Sequence, residues 1–329
     1  MKDALLRVSA HSDVRRRKAS ICAVAINAIL AIALVGPAFA QAPTKIRINK
    51  IPIAGYVPVE YALSHGWFKE EGLDVSIDAV AAGGVAMQAL IGGKLDIIYS
   101  GLDVPLRAKA RGFDVNILSA NNNAQKTPPD AGAILVRTDS EFQSLKNLEG
   151  KRFLVNALQN NNWSYSREAI RKALGNPDKV RFLELPIPQM VDALLGGQAE
   201  AASVTEPFTT IGIRSGKLKV ASYMFVEAQP GLNIAGWVST RTWVRDHMKQ
   251  ALAFRRILQR AMDALDKDQD EKSKTILKFT GLQPELLSQI TLDRWTTTID
   301  ADDLQKQVEL YTKQGLIDHT YDVKSMIVP

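Results

Sequence analysis

Two segments of this chain, about a hundred residues apart, repeat nearly the same pattern. In each, a short amphipathic helix ends at a Gly-Gly pair, an acidic residue and a small apolar strand follow, and a proline begins the next helix. The first copy comprises residues 87–96, Pro105 and Gly112, and the second comprises residues 190–200, Pro207 and Gly216. Two halves built on one βα plan predict two similar lobes that face each other across a cleft, an arrangement suited to closing on a small molecule.

Residues 1–40 have the pattern of a signal peptide. Residues 15–18 are basic, residues 21–35 form an uncharged apolar run, and residues 38–40 read Ala-Phe-Ala, a typical cleavage site. A membrane anchor is the alternative, but the run is short for a span of roughly 20 apolar residues. We therefore predict export and cleavage after Ala40, with the export route left open.

Removal of this segment changes the charge and the cysteine content. The full chain carries 41 basic and 35 acidic residues, a net charge of +6, and residues 1–40 hold six of the basic and two of the acidic ones. The remaining chain has a net charge of +2, which argues against nucleic acid as a partner. The single cysteine, Cys22, is also removed, and a cysteine-free protein suits an oxidising compartment.

The hydrophobic pattern of the remaining chain predicts alternating strands and helices. Residues 45–51, 73–80 and 96–99 have the pattern of strands, with helices between them. Short connections in the order β-α-β-α-β predict an α/β fold in which each lobe is a doubly wound, mostly parallel sheet flanked by helices. Residues 166–174 predict a further helix.

The domain limits follow from a break in this pattern. Residues 121–129 contain Asn-Asn-Asn and Pro-Pro, which we interpret as a crossing between lobes. The predicted organisation is residues 43–125 for the first part of lobe I, 126–232 for lobe II, and 233–329 for the return to lobe I and the C-terminal helices.

Candidate ligand-binding residues lie where predicted strands turn into helices, because open parallel sheets bind ligands outside the carboxyl ends of their strands. Glycines allow close backbone approach, hydroxyls and amides supply hydrogen bonds, and aromatic rings can stack on a flat ligand. The candidates are Tyr56, Gly83, Gly84, Ser100, Gly101, Asn160, Asn161, Trp163, Thr205 and Glu206.

Several candidates also have a purely structural interpretation. The Gly83-Gly84 pair can be plain turn chemistry, Trp163 can be a core aromatic, and Asn160 and Asn161 can satisfy their own loop. Glu206 can cap a helix, pair with a base that closes the lobes, or bind a cationic group. The repeated acidic residues at the strand starts, Asp96 and Glu200, are predicted to be structural.

The sequence lacks the patterns that indicate catalysis. His65, His247 and His319 have no metal-ligand spacing, and residues 41–329 contain no cysteine nucleophile and no G-x-S-x-G motif. Phosphate-loop and dinucleotide fingerprints are missing as well. We predict a binding protein that is not an enzyme, with no cofactor and no metal.

Several motifs together resemble the nitrate/sulfonate/taurine-type substrate-binding proteins of bacterial ABC importers, a family that includes thiamine-pyrimidine binders. The segments that carry the resemblance are residues 55–58, 66–75, 89–96, 144–151 and 206–207. The resemblance implies a two-lobed periplasmic binding protein of type II. It implies a periplasmic monomer that closes on one small solute and presents it to a membrane permease.

The resemblance leaves the ligand open. We expect a small organic anion, such as a sulfonate, taurine, nitrate or an aromatic carboxylate. However, no arginine is placed to clamp it, because Arg107 and Arg111 fall on a helix away from the strand ends. A neutral or pyrimidine-type solute is one alternative, and a periplasmic sensor subunit is another. Pyrimidine synthases share the implied fold, but they use a cysteine-rich segment that residues 41–329 lack.

Overall fold

The computed structural model describes residues 42–51, 53–80 and 83–329, of which Pro43–Pro329 form one compact unit. The predicted signal peptide lies outside the described residues. The strands are β1 (Thr44–Asn49), β2 (Leu73–Asp78), β3 (Ile98–Gly101), β4 (Val115–Asn123), β5 (Gly132–Arg137), β6 (Arg152–Val155), β7 (Arg181–Glu184), β8 (Ala201–Thr205), β9 (Leu218–Ser222), β10 (Asn233–Thr240) and β11 (Arg294–Trp295).

The helices follow the strands in the alternating order that the sequence predicts. They are α1 (Val57–Ser64), α2 (Trp67–Glu70), α3 (Gly83–Ile91), α4 (Asp103–Ala110), α5 (Asn161–Lys172), α6 (Ile187–Leu195), α7 (Phe208–Arg214), α8 (Met224–Ala228), α9 (Arg241–Asp246), α10 (Met248–Lys267), α11 (Gln269–Thr280), α12 (Pro284–Leu287) and α13 (Ala301–Lys313). Within the described ranges, no helix combines the length and the apolar character needed to cross a membrane.

The described strands form three hydrogen-bonded sheets, of which two are joined by a single bridge into one layer. The two resulting layers, one for each lobe, have an equivalent order over five strands. Lobe I has the order β2-β1-β3-β10-β4-β11, in which β1 meets the β3 side through a parallel bridge between Ile48 and Ile97. Lobe II has the order β7-β6-β8-β5-β9. The predicted two-lobed α/β fold is confirmed, while the lobe limits stay a prediction.

The pairing within each sheet is more mixed than a mostly parallel sheet. In lobe I, β1, β2, β3 and β4 point in one direction, whereas β10 lies reversed between β3 and β4. In lobe II, β5 lies reversed between β8 and β9. Both β5 and β10 follow a crossing from the other lobe. The chain therefore enters each sheet from the end opposite to the one at which the parallel strands begin.

Apolar side chains cover both faces of each sheet. Neighbouring residues on one strand enter different clusters because side chains alternate between faces. On β10, Trp237 packs in the cluster under α1, α2 and α10, whereas Val238 packs under α3, α4 and α13. On β6, Phe153 packs towards α5 and α8, whereas Leu154 packs towards α6 and α7. Each lobe thus consists of a sheet between two helical layers.

Two element limits differ from the prediction. The run Asn121–Asn123 belongs to β4, because these residues pair with β10, and the crossing to β5 comes after it. Helix α5 begins at Asn161 rather than at Ser166, since the Asn160 side chain caps it by accepting from the Trp163 N–H. The predicted polar loop is therefore the first turn of a helix.

The acidic residues of the repeat have the structural role that the sequence predicts. The backbone N–H and guanidinium of Arg47 donate to the Asp96 carboxylate, and the Asp96 N–H donates to the Arg47 carbonyl at 2.9 Å. The same two hydrogen bonds join Arg152 to Glu200. The Arg152 N–H donates to the Glu200 carboxylate at 2.8 Å, and the Glu200 N–H donates to the Arg152 carbonyl at 3.0 Å. Each pair joins two neighbouring strands within its own lobe, and the two pairs occupy equivalent places in the two sheets.

Candidate functional site

The carboxyl ends of β1, β2 and β3 meet at the buried side chain of Asn49. Its amide donates to the carbonyls of Val80 at 3.2 Å and Tyr99 at 3.1 Å, and its side-chain oxygen accepts the Tyr99 N–H at 2.7 Å. The Asn49 side chain therefore supplies hydrogen bonds between β1 and β3, where the two strands have no backbone ladder beyond a single bridge. Asn49 is not among the residues predicted from the sequence. The one local sign of its role is that it is a polar residue at the end of an apolar strand.

Gly83, Gly84 and Ser100 come together above this junction. Gly83 begins the nine-residue helix α3, and a Cβ at Gly83 would lie 3.1 Å from the Ser100 Cβ. Gly84 is exposed, with open space where a side chain would stand. N–H groups of the first helical turn have no partner within the helix, so they can donate to an anion.

The Ser100 hydroxyl is the strongest indication of a ligand at this place. Ser100 has no exposed surface, and among the described residues its Oγ has no hydrogen-bond partner. A buried hydroxyl without a partner costs about 1–3 kcal/mol. An anion that accepts from both Ser100 and the start of α3 would relieve that cost.

Gly101 and Asn161 are also brought together, but they form a contact between the lobes. A Cβ at Gly101 would lie 3.3 Å from the Asn161 side-chain nitrogen. That nitrogen donates to the Ile234 carbonyl at 3.0 Å, and the Tyr311 hydroxyl donates to the Asn161 side-chain oxygen at 2.5 Å. Both ends of the amide are therefore used by the protein itself.

Asn160 and Trp163 are held on lobe II by local contacts. The Asn160 amide donates to the Asn156 side chain at 2.8 Å while its oxygen caps α5. The Trp163 ring has the Arg167 guanidinium 4.4 Å from its centroid and the Phe182 ring 5.9 Å away. The structure thus places Trp163 in a side-chain stack on lobe II, without a described contact to lobe I.

Tyr56 lies beneath the site rather than on its wall. Its ring is fully buried, stacks on Phe279 at 5.8 Å and meets Tyr99 edge-on. Its hydroxyl donates to the Asn49 carbonyl at 2.6 Å, and burial raises the pKa of that hydroxyl. Tyr56 therefore supports Asn49, and its predicted stacking on a ligand finds no support in this placement.

Thr205 and Glu206 lie where lobe II meets the segment before β11. Thr205 is half-buried at the end of β8. The Glu206 carboxylate accepts from the Thr210 N–H and hydroxyl at 3.0 and 2.8 Å, and from the Thr291 N–H at 3.2 Å. Burial raises the Glu206 pKa, and these hydrogen bonds oppose that rise. Glu206 thus caps α7 and binds the C-terminal segment.

Two further buried carboxyls lie near Glu206. Asp293 accepts from the Asn122 amide at 2.8 Å through one oxygen, while its other oxygen has no partner among the described residues. Burial, with the charges of Asp130 and Glu206, raises the Asp293 pKa to about 7. Burial also raises the pKa of Asp130. We call Asp130, Glu206 and Asp293 the acidic cluster, and sequence analysis missed two of its members.

Cavities elsewhere contain none of the predicted site residues. One of about 340 Å³ lies between α5 and α13, and another of about 530 Å³ lies beside Val323. In residues 42–51, 53–80 and 83–329, no group of three or more His, Cys, Asp or Glu side chains is arranged to hold a metal ion. The strand-end junction, where Gly83 lies against Ser100, stays the candidate site.

Comparison with known proteins identifies relatives over most of the chain. The family model NMT1/THI5 like matches residues 54–272. Two proteins of Bacillus subtilis (strain 168) are similar: YtlA, named as a binding protein, is 22% identical over 281 residues, covering 84% of this chain and 77% of YtlA. A protein named for binding aliphatic sulfonates is 21% identical over 281 residues, covering 82% of both chains.

A solved structure shows the same fold. The alkanesulfonate-binding protein SsuA from Xanthomonas axonopodis pv. citri, bound to MOPS, superposes with a TM-score of 0.73 at 19% identity, covering 88% of this chain and 99% of SsuA. All three proteins are named as binding proteins rather than enzymes. The family match spans more than half of the sequence, so this chain belongs to the NMT1/THI5-like family and has the periplasmic binding protein fold.

Proposed function

We propose that this chain is the solute-binding component of an ABC importer and captures a small organic anion, of the sulfonate or nitrate type, between its two lobes. The observation that carries the proposal is the buried Ser100 hydroxyl beside the start of α3, which has no hydrogen-bond partner among the described residues. Support also comes from relatives that are named for binding aliphatic sulfonates and alkanesulfonates.

Anion binding without arginine is physically reasonable at this position. Anions near a helix N-terminus are stabilised by about 0.3–1 kcal/mol, and by up to about 2 kcal/mol where they are partly buried. A hydrogen bond from Ser100 to a charged oxygen adds roughly 1.5–3 kcal/mol. An anion that also touches lobe II favours the closed arrangement, because it makes both sets of contacts only there.

The proposed setting follows from the same function. We propose that residues 1–40 direct export and that the remaining chain works in the periplasm as a monomer, delivering its solute to a membrane permease. The proposed lobe limits are 43–125, 126–232 and 233–329. For Glu206 we propose no direct ligand contact. Its carboxylate accepts from the Thr291 N–H and so joins lobe II to the C-terminal segment. A pyrimidine ligand or a sensor role has no observation in its favour.

The test is a binding panel on the purified protein without residues 1–40, since residues 43–329 form one compact unit. Methanesulfonate, taurine, nitrate, benzoate and a pyrimidine are compared by thermal unfolding and calorimetry. A ligand at about a hundred times its Kd adds about 2.7 kcal/mol, which raises Tm by roughly 5 °C.

A matched variant separates site binding from general effects. Ser100→Ala should weaken anion binding about tenfold or more. Leu174→Ser, on an exposed residue beyond α5, should leave binding unchanged. Failure of every anion to bind, with Ser100 intact, would contradict the proposed function.

A further inference from the structure

Helix α13 is shared between the two lobes. Its buried side chains Leu304, Val308 and Tyr311 pack in the lobe I cluster under α3 and α4. Leu310 packs against that cluster and also against the lobe II cluster that lies under α5 and α8. The helix therefore belongs to lobe I by its buried face and contacts lobe II with the neighbouring face.

Polar contacts attach the first half of α13 to the start of β10. The Asp303 carboxylate accepts the Asn233 N–H at 2.9 Å, and the Gln307 amide donates to the Asn233 carbonyl at 2.9 Å. Asn233 is the first residue of β10, at the point where the chain returns from lobe II. Because a lobe I strand and a lobe I cluster both hold α13, we expect the helix to move with lobe I.

The second half of α13 makes hydrogen bonds to α5 of lobe II. The Tyr311 hydroxyl donates to the Asn161 side-chain oxygen at 2.5 Å, and the Gln314 amide donates to the Ser164 carbonyl at 2.9 Å. Asn161 begins α5 and also lies against Gly101, at the end of β3. Opening of the cleft would separate these strand-end edges, so the bonds belong to the arrangement in which the lobes are together.

The interface between α5 and α13 differs from a permanently packed core. A cavity of about 340 Å³, lined by Tyr165, Glu168 and Asp303 among others, lies between the two helices. The Ser164 hydroxyl and the Gln314 side-chain oxygen are buried there without a hydrogen-bond partner among the described residues. Permanent cores pair nearly all such groups. Water could reach both atoms if the helices moved apart, so the interface is suited to forming and breaking.

Tyr311 has an acceptor for each arrangement of the lobes. The Gln307 side-chain oxygen, one turn earlier on α13, lies 3.3 Å from the Tyr311 hydroxyl. A hydroxyl carries one proton, so it donates to one acceptor at a time, and the shorter distance favours Asn161. When Asn161 moves away with lobe II, the hydroxyl can donate to Gln307 instead. The fully buried hydroxyl is then paired in both arrangements.

We propose that Tyr311 and Asn161 form a latch that holds the two lobes together and thereby sets how long the chain retains its solute. Both are positioning residues, because they act by stabilising the arrangement in which both lobes can contact the solute. The inference rests on the proposed function and adds the residues that control retention. Apparent affinity falls in proportion to the fraction of molecules whose lobes are together, so loss of one hydrogen bond should weaken binding about two- to tenfold.

The substitution Tyr311→Phe removes the latch bond and keeps the ring that packs in lobe I. Calorimetry should show about two- to tenfold weaker binding of methanesulfonate. Stopped-flow fluorescence should place the change in the dissociation rate, because the latch forms after the solute has entered. Tyr321→Phe is the matched control, since the Tyr321 hydroxyl donates to the Leu106 carbonyl at 2.6 Å within lobe I. That control should leave affinity and both rates within about twofold.

Two further measurements assign the effect to the latch. In small-angle X-ray scattering without solute, Tyr311→Phe should have a larger radius of gyration than the wild type and Tyr321→Phe. The double variant Asn161→Ala/Tyr311→Phe should bind methanesulfonate no more weakly than Asn161→Ala alone, because both substitutions remove the same bond.

The outcomes separate the latch from the proposed function. Unchanged affinity in Tyr311→Phe, or an equal loss in Tyr311→Phe and Tyr321→Phe, would overturn the latch. Tighter binding by Tyr311→Phe would mean that the bond holds the lobes apart, and additive losses in the double variant would mean that the two residues act separately; each would overturn it as well. If the wild type binds no anion of the panel, the proposed function fails. An unchanged radius of gyration in Tyr311→Phe would overturn the latch alone.

Discussion

Replacing Asn49 by alanine tests whether one side chain joins the three strand ends of lobe I. The variant loses the donor to the Val80 and Tyr99 carbonyls and the acceptor for the Tyr99 N–H. Val80 is partly exposed, so water can replace the bond to its carbonyl. The two groups of Tyr99 are buried beside a strand that does not pair with them, and they stay unpaired.

The expected loss follows from those two groups. Each buried backbone group without a partner costs about 1–3 kcal/mol, so Asn49→Ala should lower the free energy of unfolding by roughly 2–6 kcal/mol. At about 2 °C per kcal/mol for a chain of this size, Tm should fall by roughly 4–12 °C. Anion affinity should fall as well, since Ser100 directly follows Tyr99.

The assay is thermal unfolding by circular dichroism, with anion binding measured by calorimetry well below Tm. Asn176→Ala is a matched control, because the Asn176 side chain also accepts a backbone N–H, that of Asp178, but caps an exposed turn. That control should lose about 1 kcal/mol or less. A Tm of Asn49→Ala within about 2 °C of the wild type would refute the junction as a source of stability.

Three further predictions concern single side chains. Ser100→Ala should keep or slightly raise Tm without anion, because it removes a buried hydroxyl that has no partner among the described residues. Calorimetry should show weaker anion binding, and equal affinity would contradict the site. Burial raises the pKa of Asp293 in the folded protein to about 7, above its value in the unfolded chain. The free energy of unfolding should therefore fall as the pH rises from about 4 to 7. Urea titrations should show that Asp293→Asn becomes more stable relative to the wild type over that range. If both proteins keep the same pH dependence, the burial of this carboxyl is misassigned. Arg152→Met should change the free energy of unfolding by about 1 kcal/mol or less, since its pair with Glu200 is solvent-exposed, and a larger loss in denaturant titration would contradict a surface pair.

The fold was predictable because its signals are local. The helix, Gly-Gly stop, acidic residue and proline recur in both lobes, and the place of Asp96 and Glu200 near strand starts predicted their structural role. The start of α5 was misplaced for a local reason too, since three consecutive asparagines indicate a loop as readily as a capped helix. Only the bond from Trp163 N–H to Asn160 decides between them.

The site was predictable in part. Gly83 lies against Ser100, as the carboxyl ends of neighbouring strands predict, while ligand binding at these residues and at Gly84 stays a prediction. Asn161 could not be assigned, because its partner Tyr311 lies 150 residues further along the chain. Asn49 matters because β1 and β3 do not pair along a regular backbone ladder. A sequence pattern predicts the strands, but it does not show which of their backbone groups stay without a partner.

The reversed strands β5 and β10 make the assembly of the molecule depend on chain order. β10 joins β3 to β4, so the first lobe lacks a central member until Asn233–Thr240 has been synthesised. Contacts between residues so far apart form late, because a long loop must close first. A nascent chain therefore stays without a complete first sheet for most of its synthesis.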